Sequence, residues 1–257
     1  MSRRLVPVAV AALLVVAGCT GLPGESTPTA SPETVDPAEA DLPPGVSERG
    51  VTNASALAAA HDATLRAEGF VLEGTFERDP PSGAKQTRNY TTVVAPGGER
   101  FRTAVTTVYE GSDEPDASGA RRMQTRAWSN GSVTLRAVTI HGETAVSTVA
   151  DLSTSLSVTR APQLRSYLEV GAYDVERVVV RDDHAFTTLV AEHASGAVGE
   201  DVSFDARLVV DERGVVHEAD VAVSGPDGVR DDARYEVVRF GGSPERPEWV
   251  EDAEVDG

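Results

Sequence analysis

From Phe70 onward the chain alternates. Phe70, Leu72, Gly74 and Phe76 interleave with Val71, Glu73, Thr75 and Glu77, the period of two that marks a strand with one buried face. The same alternation predicts strands over 87–95, 100–109, 121–128 and 133–140, joined by "PGGE", the acidic loop "GSDEPDASG" and the turn "SNGS". A stretch of Ser, Thr and Val interrupts the pattern. A second set of strands then follows over 174–181, 184–193, 202–210, 215–223 and 232–240, with turns at "RDDH", "DERG" and "GPDG". A segment of helical period precedes each set. In "VTNASALAAAHDATLRAEG", Thr52 or Asn53 can cap the first turn, Leu57, Ala60, His61, Thr64 and Leu65 share a face, and Gly69 ends the helix. In "TRAPQLRSYLEVG", Pro162 suits a first turn, and Leu164, Tyr167 and Leu168 form an apolar face before Gly171.

Each half thus reads as a helix followed by about five antiparallel strands, with no residue-level repeat between the halves. The fold class is α+β. Ten long strands laid in one sheet twist strongly, so a curled sheet or half-barrel with both helices on its concave side is expected; a two-sheet β-sandwich is the alternative. The ending "GGSPERPEWVEDAEVDG" reads as an irregular segment pinned by Trp249, with 251–257 as an acidic tail. Two apolar stripes, Phe70, Leu72 and Phe76, then Tyr90, Val94, Phe101 and Val105, are the candidate lining of a hydrophobic ligand site on the concave face. The competing expectation is that they fill the core beneath the helices.

The N-terminus follows other rules. Arg3 and Arg4 precede thirteen apolar residues from Leu5 to Ala17, too few to span a bilayer, which takes about twenty. Residues 1–18 are therefore expected to be a signal peptide. Val16-Ala17-Gly18-Cys19 closes this segment, and Cys19 is the chain's single cysteine. Residues 19–49, crowded with Pro, Ser, Thr and Glu, bury too little to fold by themselves and are expected to be a disordered tether. A single domain over 50–250 remains, long enough for a sizeable core.

Composition narrows the partners. There are 41 acidic and 23 basic residues, a formal charge of −18, which becomes −20 once Arg3 and Arg4 leave with the first eighteen residues. Such a surface repels phosphate backbones, so nucleic acid is excluded as a partner. Lys85 is the only lysine. Acid-rich, lysine-poor chains resemble the proteins of salt-loving archaea.

Catalytic chemistry is not written in the sequence. There is no G-x-S-x-G elbow, no second cysteine and no H-E-x-x-H, so neither catalytic nor metal-ligating residues are assigned, no cofactor is expected, and the chain reads as a non-enzyme. His61 falls between Leu57 and Leu65 and reads as a packing residue. Asp182, Asp183 and His184 read as a solvated turn, and Asp113 to Asp116 lack EF-hand spacing. All three asparagines, Asn53, Asn89 and Asn130, begin N-x-S/T, which marks them as candidate glycan acceptors on an exported chain.

Val16-Ala17-Gly18-Cys19 resembles the lipobox of prokaryotic lipoproteins. The resemblance implies that the Cys19 sulfur carries lipid and anchors the chain to the outer face of the cell membrane. With the tether, "ALAAAH", the interrupted strands and "RPEWV", the sequence looks like the uncharacterised haloarchaeal lipoproteins. Its element order is similar to the curled-sheet lipoprotein-sorting chaperones and mycobacterial lipid-carrier lipoproteins, whose concave face holds acyl chains. What this implies is a membrane-anchored lipoprotein that binds a hydrophobic ligand. A structural or protein-interaction module of the cell envelope is the alternative.

Overall fold

A computed structural model describes residues 32–81, 83–111, 121–149, 157–196 and 201–255. Three short strands come first: β1 (Glu33–Val35), β2 (Val46–Ser47) and β3 (Gly50–Val51). Helix α1 (Ala54–Glu68) follows. Asn53 caps it, its Oδ1 accepting the Ala56 N–H at 3.0 Å, and Gly69 closes it at φ 69° with its N–H on the Leu65 carbonyl. Glycine is required at that end, because an added Cβ would stand 2.5 Å from the nitrogen of Pro96.

Six strands then run as a meander: β4 (Phe70–Asp79), β5 (Lys85–Val94), β6 (Arg100–Glu110), β7 (Arg121–Asn130), β8 (Thr134–Ile140) and β9 (Glu143–Thr148). Helix α2 (Ala161–Val170), with Pro162 in its first turn, leads to a second meander. Its strands are β10 (Asp174–Arg181), β11 (His184–Ala191), β12 (Ser203–Asp211), β13 (Val216–Ser224) and β14 (Arg230–Phe240). Helix α3 (Glu248–Val255) ends the described chain.

Twelve strands form one antiparallel sheet in the order β1-β10-β11-β12-β13-β14-β4-β5-β6-β7-β8-β9. The two meanders join where β14 pairs with β4, with Phe240 opposite Phe70 and Ala233 opposite Phe76. β1 and β9 are the free edges, so the barrel is not closed. The sandwich alternative is not adopted, since among the described residues only β2 and β3 lie outside this sheet.

Three expectations need correction. β9 falls where the sequence reads as a break, because all six of its residues are exposed and no apolar contrast marks them. Backbone pairing with β8, from Ile140–Glu143 to Leu135–Thr148, holds it as an edge strand. Of the stretch 19–49, expected to be a disordered tether, residues 19–31 lie outside the described residues, and 32–49 contributes β1 to the opposite edge, with Thr34 opposite Val179. An edge offers main-chain hydrogen bonds to a sequence that has almost nothing apolar to bury, so the folded unit begins before residue 50. The final stretch is helical, and Val250 of α3 is fully buried against Trp128 and Leu135, with Trp249 packed beside them.

The main core lies between the two long helices and one face of the sheet. Leu57 and Leu65 of α1 and Leu164 and Leu168 of α2 meet Leu72, Leu189, Leu208 and Val221. His61 is 0 % exposed in this layer. Its Nδ1 accepts the Val216 N–H at 3.1 Å, which leaves Nε2–H to donate to the Thr159 carbonyl at 2.9 Å. One neutral ring thus ties α1 to the start of β13 and to the approach to α2. Burial holds its pKa down at about 4, against a weaker upward pull from the Thr159 bond.

Candidate functional site: a pocket on the helix-facing side of the sheet

Strand register carries one row of inward-facing residues across the sheet. It runs Leu189, Leu208, Ala219, Tyr235, Gly74, Tyr90, Val105, Thr125 and Val138, each directly opposite the next on the neighbouring strand. From Leu189 to Tyr235 the row is buried, whereas Val105, Thr125 and Val138 are only half-buried. Gly74 marks the change. A Cβ there would come within 2.4 Å of the Tyr90 hydroxyl and 2.5 Å of the Arg234 carbonyl, so the Tyr90 side chain lies over a position that only glycine leaves clear.

Beyond that point the sheet, with the first turn of α2 beside it, forms a pocket of about 400 Å³. Phe76, Tyr90, Val105 and Met123 supply its apolar surface, and Thr107 and Thr125 add hydroxyls. Arg88, Arg136, Arg160 and Gln163 complete the lining. The next inward row explains why: Phe76, Arg88, Thr107 and Met123 are cross-strand neighbours. Arg88 lies over the Phe76 ring at 5.5 Å, and Arg160 over the Tyr90 ring at 4.0 Å. Burial pushes the Tyr90 hydroxyl pKa up, and the Arg160 charge opposes that rise. Arg160 immediately precedes α2 in a left-handed conformation, φ 61° and ψ 10°, and makes no side-chain cap.

The seven candidate lining residues all fall on this inward face, but only some of them reach the pocket. Phe76, Tyr90 and Val105 line it. Phe70, Leu72 and Val94 are fully buried in the core. Phe101 is buried at the base of a separate groove of about 570 Å³ between α1 and α2, beside Ala58, Val158 and Pro162. Sequence reading missed Met123 and the three arginines. Parity was the available signal for two of them, since Arg88 stands two residues from Tyr90 and Arg136 two from Val138.

The candidate glycan acceptors are exposed. Asn53 is the cap of α1, and Asn130 accepts the Ser132 and Val133 N–H groups at 2.9 Å each in its turn. Asn89 lies on the outer face, in a dent of about 470 Å³ at Gly74. Cys19 and the stretch Asp113 to Asp116 lie outside the described residues.

A second polar cluster sits at the turn between β12 and β13. Asp211, 2 % exposed, accepts the N–H groups of Arg213 and Val215, the Arg213 guanidinium and His217 Nε2 at 2.7 to 3.1 Å. Burial alone would raise its pKa, but the hydrogen bonds from His217, Val215 and Arg213 outweigh it and bring the value down to about 2. Arg213 also pairs with Glu68 at the end of α1 at 2.6 Å, and the His217 ring stands between Phe186 and Phe240. The carboxylate therefore holds the hairpin turn and pins it to α1. Asp182 and Asp183 adopt left-handed backbone in the neighbouring turn, and His184 Nδ1 meets Glu212 at 2.7 Å. No group of three or more metal-ligating side chains occurs among the described residues.

Taken together, these features define an open antiparallel sheet with a partly apolar pocket beside a helical crossover. No protein family and no curated protein matches the sequence. Among solved structures the chain is similar to a LolA superfamily protein from Nitrosomonas europaea, at 11% identity and a TM-score of 0.27, over 77% of this chain and 96% of that one. The functional reading accordingly rests on the residues themselves.

Proposed function

We propose that this chain is an exported lipoprotein, anchored to the outer face of the cell membrane through lipid on Cys19, whose domain binds a hydrophobic ligand and catalyses no reaction. One observation carries the binding reading. The inward row sealed by helices from Leu189 to Tyr235 continues into a pocket of about 400 Å³ with Phe76, Tyr90, Val105 and Met123 on its surface. That size falls in the range of small-ligand sites, roughly 300–1,000 Å³. The anchoring reading is supported by the lipobox-like Val16-Ala17-Gly18-Cys19.

Titration with a neutral fluorescent apolar probe tests the binding. The probe is expected to saturate at one site, and Val105→Trp, which fills the pocket from the middle of β6, is expected to weaken it at least tenfold. No uptake, or uptake unchanged in Val105→Trp, would remove the pocket as the site. For the anchor, Cys19→Ser is expected to move the protein from the membrane fraction to the soluble fraction, and a variant that stays on the membrane contradicts it.

A further inference from the structure

Cations are scarce on a chain of net charge −18, and many of them are engaged by carboxylates. Arg78 pairs with Asp231, Arg165 with Glu169, Arg207 with Glu176 and Arg213 with Asp211. Arg88, Arg136 and Arg160 are different. Three separate elements, β5, β8 and the entry to α2, bring them to one pocket, and none of the three has a carboxylate partner among the described residues.

Two of them lie over aromatic rings. A guanidinium held at a ring face keeps a fork of N–H donors that matches the paired oxygens of a carboxylate or phosphate. Arg160 adopts a left-handed backbone, unfavourable for an L-residue, at a position where Ser, Asp or Asn would cap the helix. That conformation sets its charge 4.0 Å from the Tyr90 ring. Unfavourable backbone combined with a charge that has no carboxylate partner among the described residues is, at a pocket, the pattern of a site held ready for a ligand.

We infer that the pocket takes an anionic amphiphile, with its hydrocarbon against Phe76, Tyr90, Val105 and Met123 and its carboxylate or phosphate head held by Arg88, Arg136 and Arg160. This rests on the hydrophobic-ligand reading above and assigns the chemical class of that ligand. An acidic surface repels anions in general, so a local cluster of three arginines selects the molecules whose apolar tail also fits.

The test is equilibrium titration of the delipidated full-length protein at low salt with oleate, oleyl phosphate and methyl oleate. At least one of the two anions is expected to bind at least tenfold more tightly than the ester, a difference of about 1.4 kcal/mol. Whichever is tighter tells a fatty acid from a lipid phosphate as the natural source. The ratio is expected to shrink as salt rises. In R88Q/R136Q/R160Q the advantage of both anions over methyl oleate should disappear, and an unchanged circular dichroism spectrum shows that the variant is folded. Equal binding of ester and anions by the unaltered protein overturns the inference while leaving the hydrophobic site standing. Equal weakening of all three probes in the triple variant overturns it as well, by making the arginines packing groups. Failure of all three probes to bind removes the hydrophobic reading itself, and this inference with it.

Discussion

The inward surface of the sheet has two halves built from the same alternation and finished differently. Over β11 to β14, Leu189, Leu208, Ala219 and Tyr235 are sealed within the core that the helices close. Over β6 to β8, Val105, Thr125 and Val138 occupy equivalent register positions and stay half-buried. The difference lies in the cover and not in the strands. α1 has fifteen residues and α2 ten, and their buried side chains go to the core. Along this row the β11 to β14 positions therefore supply stability, and the β6 to β8 positions keep surface for contacts that folding does not consume.

The sharpest way to break this comparison is to shorten one side chain in each half. Leu208→Ala is expected to cost about 2–5 kcal/mol, because it leaves a cavity in a closed layer. Val105→Ala should cost less than about 1 kcal/mol, because half-buried surface is lost and no enclosed space appears. Urea unfolding of both variants measures this, and equal losses would mean that the two halves are packed alike.

Next in size is the pH dependence of the packed half. The unfolded chain protonates His61 near its ordinary value of 6.5, but the native ring does so only near 4. The unfolded state thus binds more protons between those values, and stability falls as pH drops from about 6.5 towards 4, by up to roughly 3 kcal/mol. His61→Gln should flatten that interval. If the slope persists there, other groups cause it.

Asp211 acts in a lower window. Its native pKa of about 2 lies below the ordinary 3.8, so the stabilisation it gives is complete above 3.8 and is lost as pH falls through about 2. That share is roughly 2 kcal/mol, and Asp211→Asn should remove the dependence between pH 4 and 2. Acid titration monitored by circular dichroism separates the two windows. The smallest effect is expected on the exposed outer face, where Arg234 meets Asp220. Arg234→Ala should leave the melting temperature unchanged in high salt, since solvent and ions screen such pairs.

The same contrast explains what could be read from the sequence. Strands with one sealed face, such as β12 with Phe204, Ala206, Leu208 and Val210 inward, announce themselves through alternation. β9 has no sealed face and therefore no pattern. β1 is three residues of a Pro-rich stretch, held by pairing to an edge that the sequence does not reveal. α3 was hidden by Pro244 and Pro247, although proline just ahead of a helix is compatible with its start. For the pocket, parity puts Arg88 and Tyr90 on one face. That Arg160 would reach the same place depends on a left-handed turn and on how far α2 extends, both products of tertiary packing.

The β14–β4 pairing sets an order of assembly. Most neighbouring strands within each meander join through connections of two to five residues, so much of each meander can zip from its own turns. Phe70 and Phe240 meet only after the chain between them has been drawn together, and closing so long a loop slows folding more than it weakens the product. The pocket sits beside this late join. Phe76 pairs on one side with Arg88 and on the other, across the join, with Ala233. During refolding, the ability to take up a probe should therefore lag behind strand formation, and the time at which binding appears would clock the moment the two meanders meet.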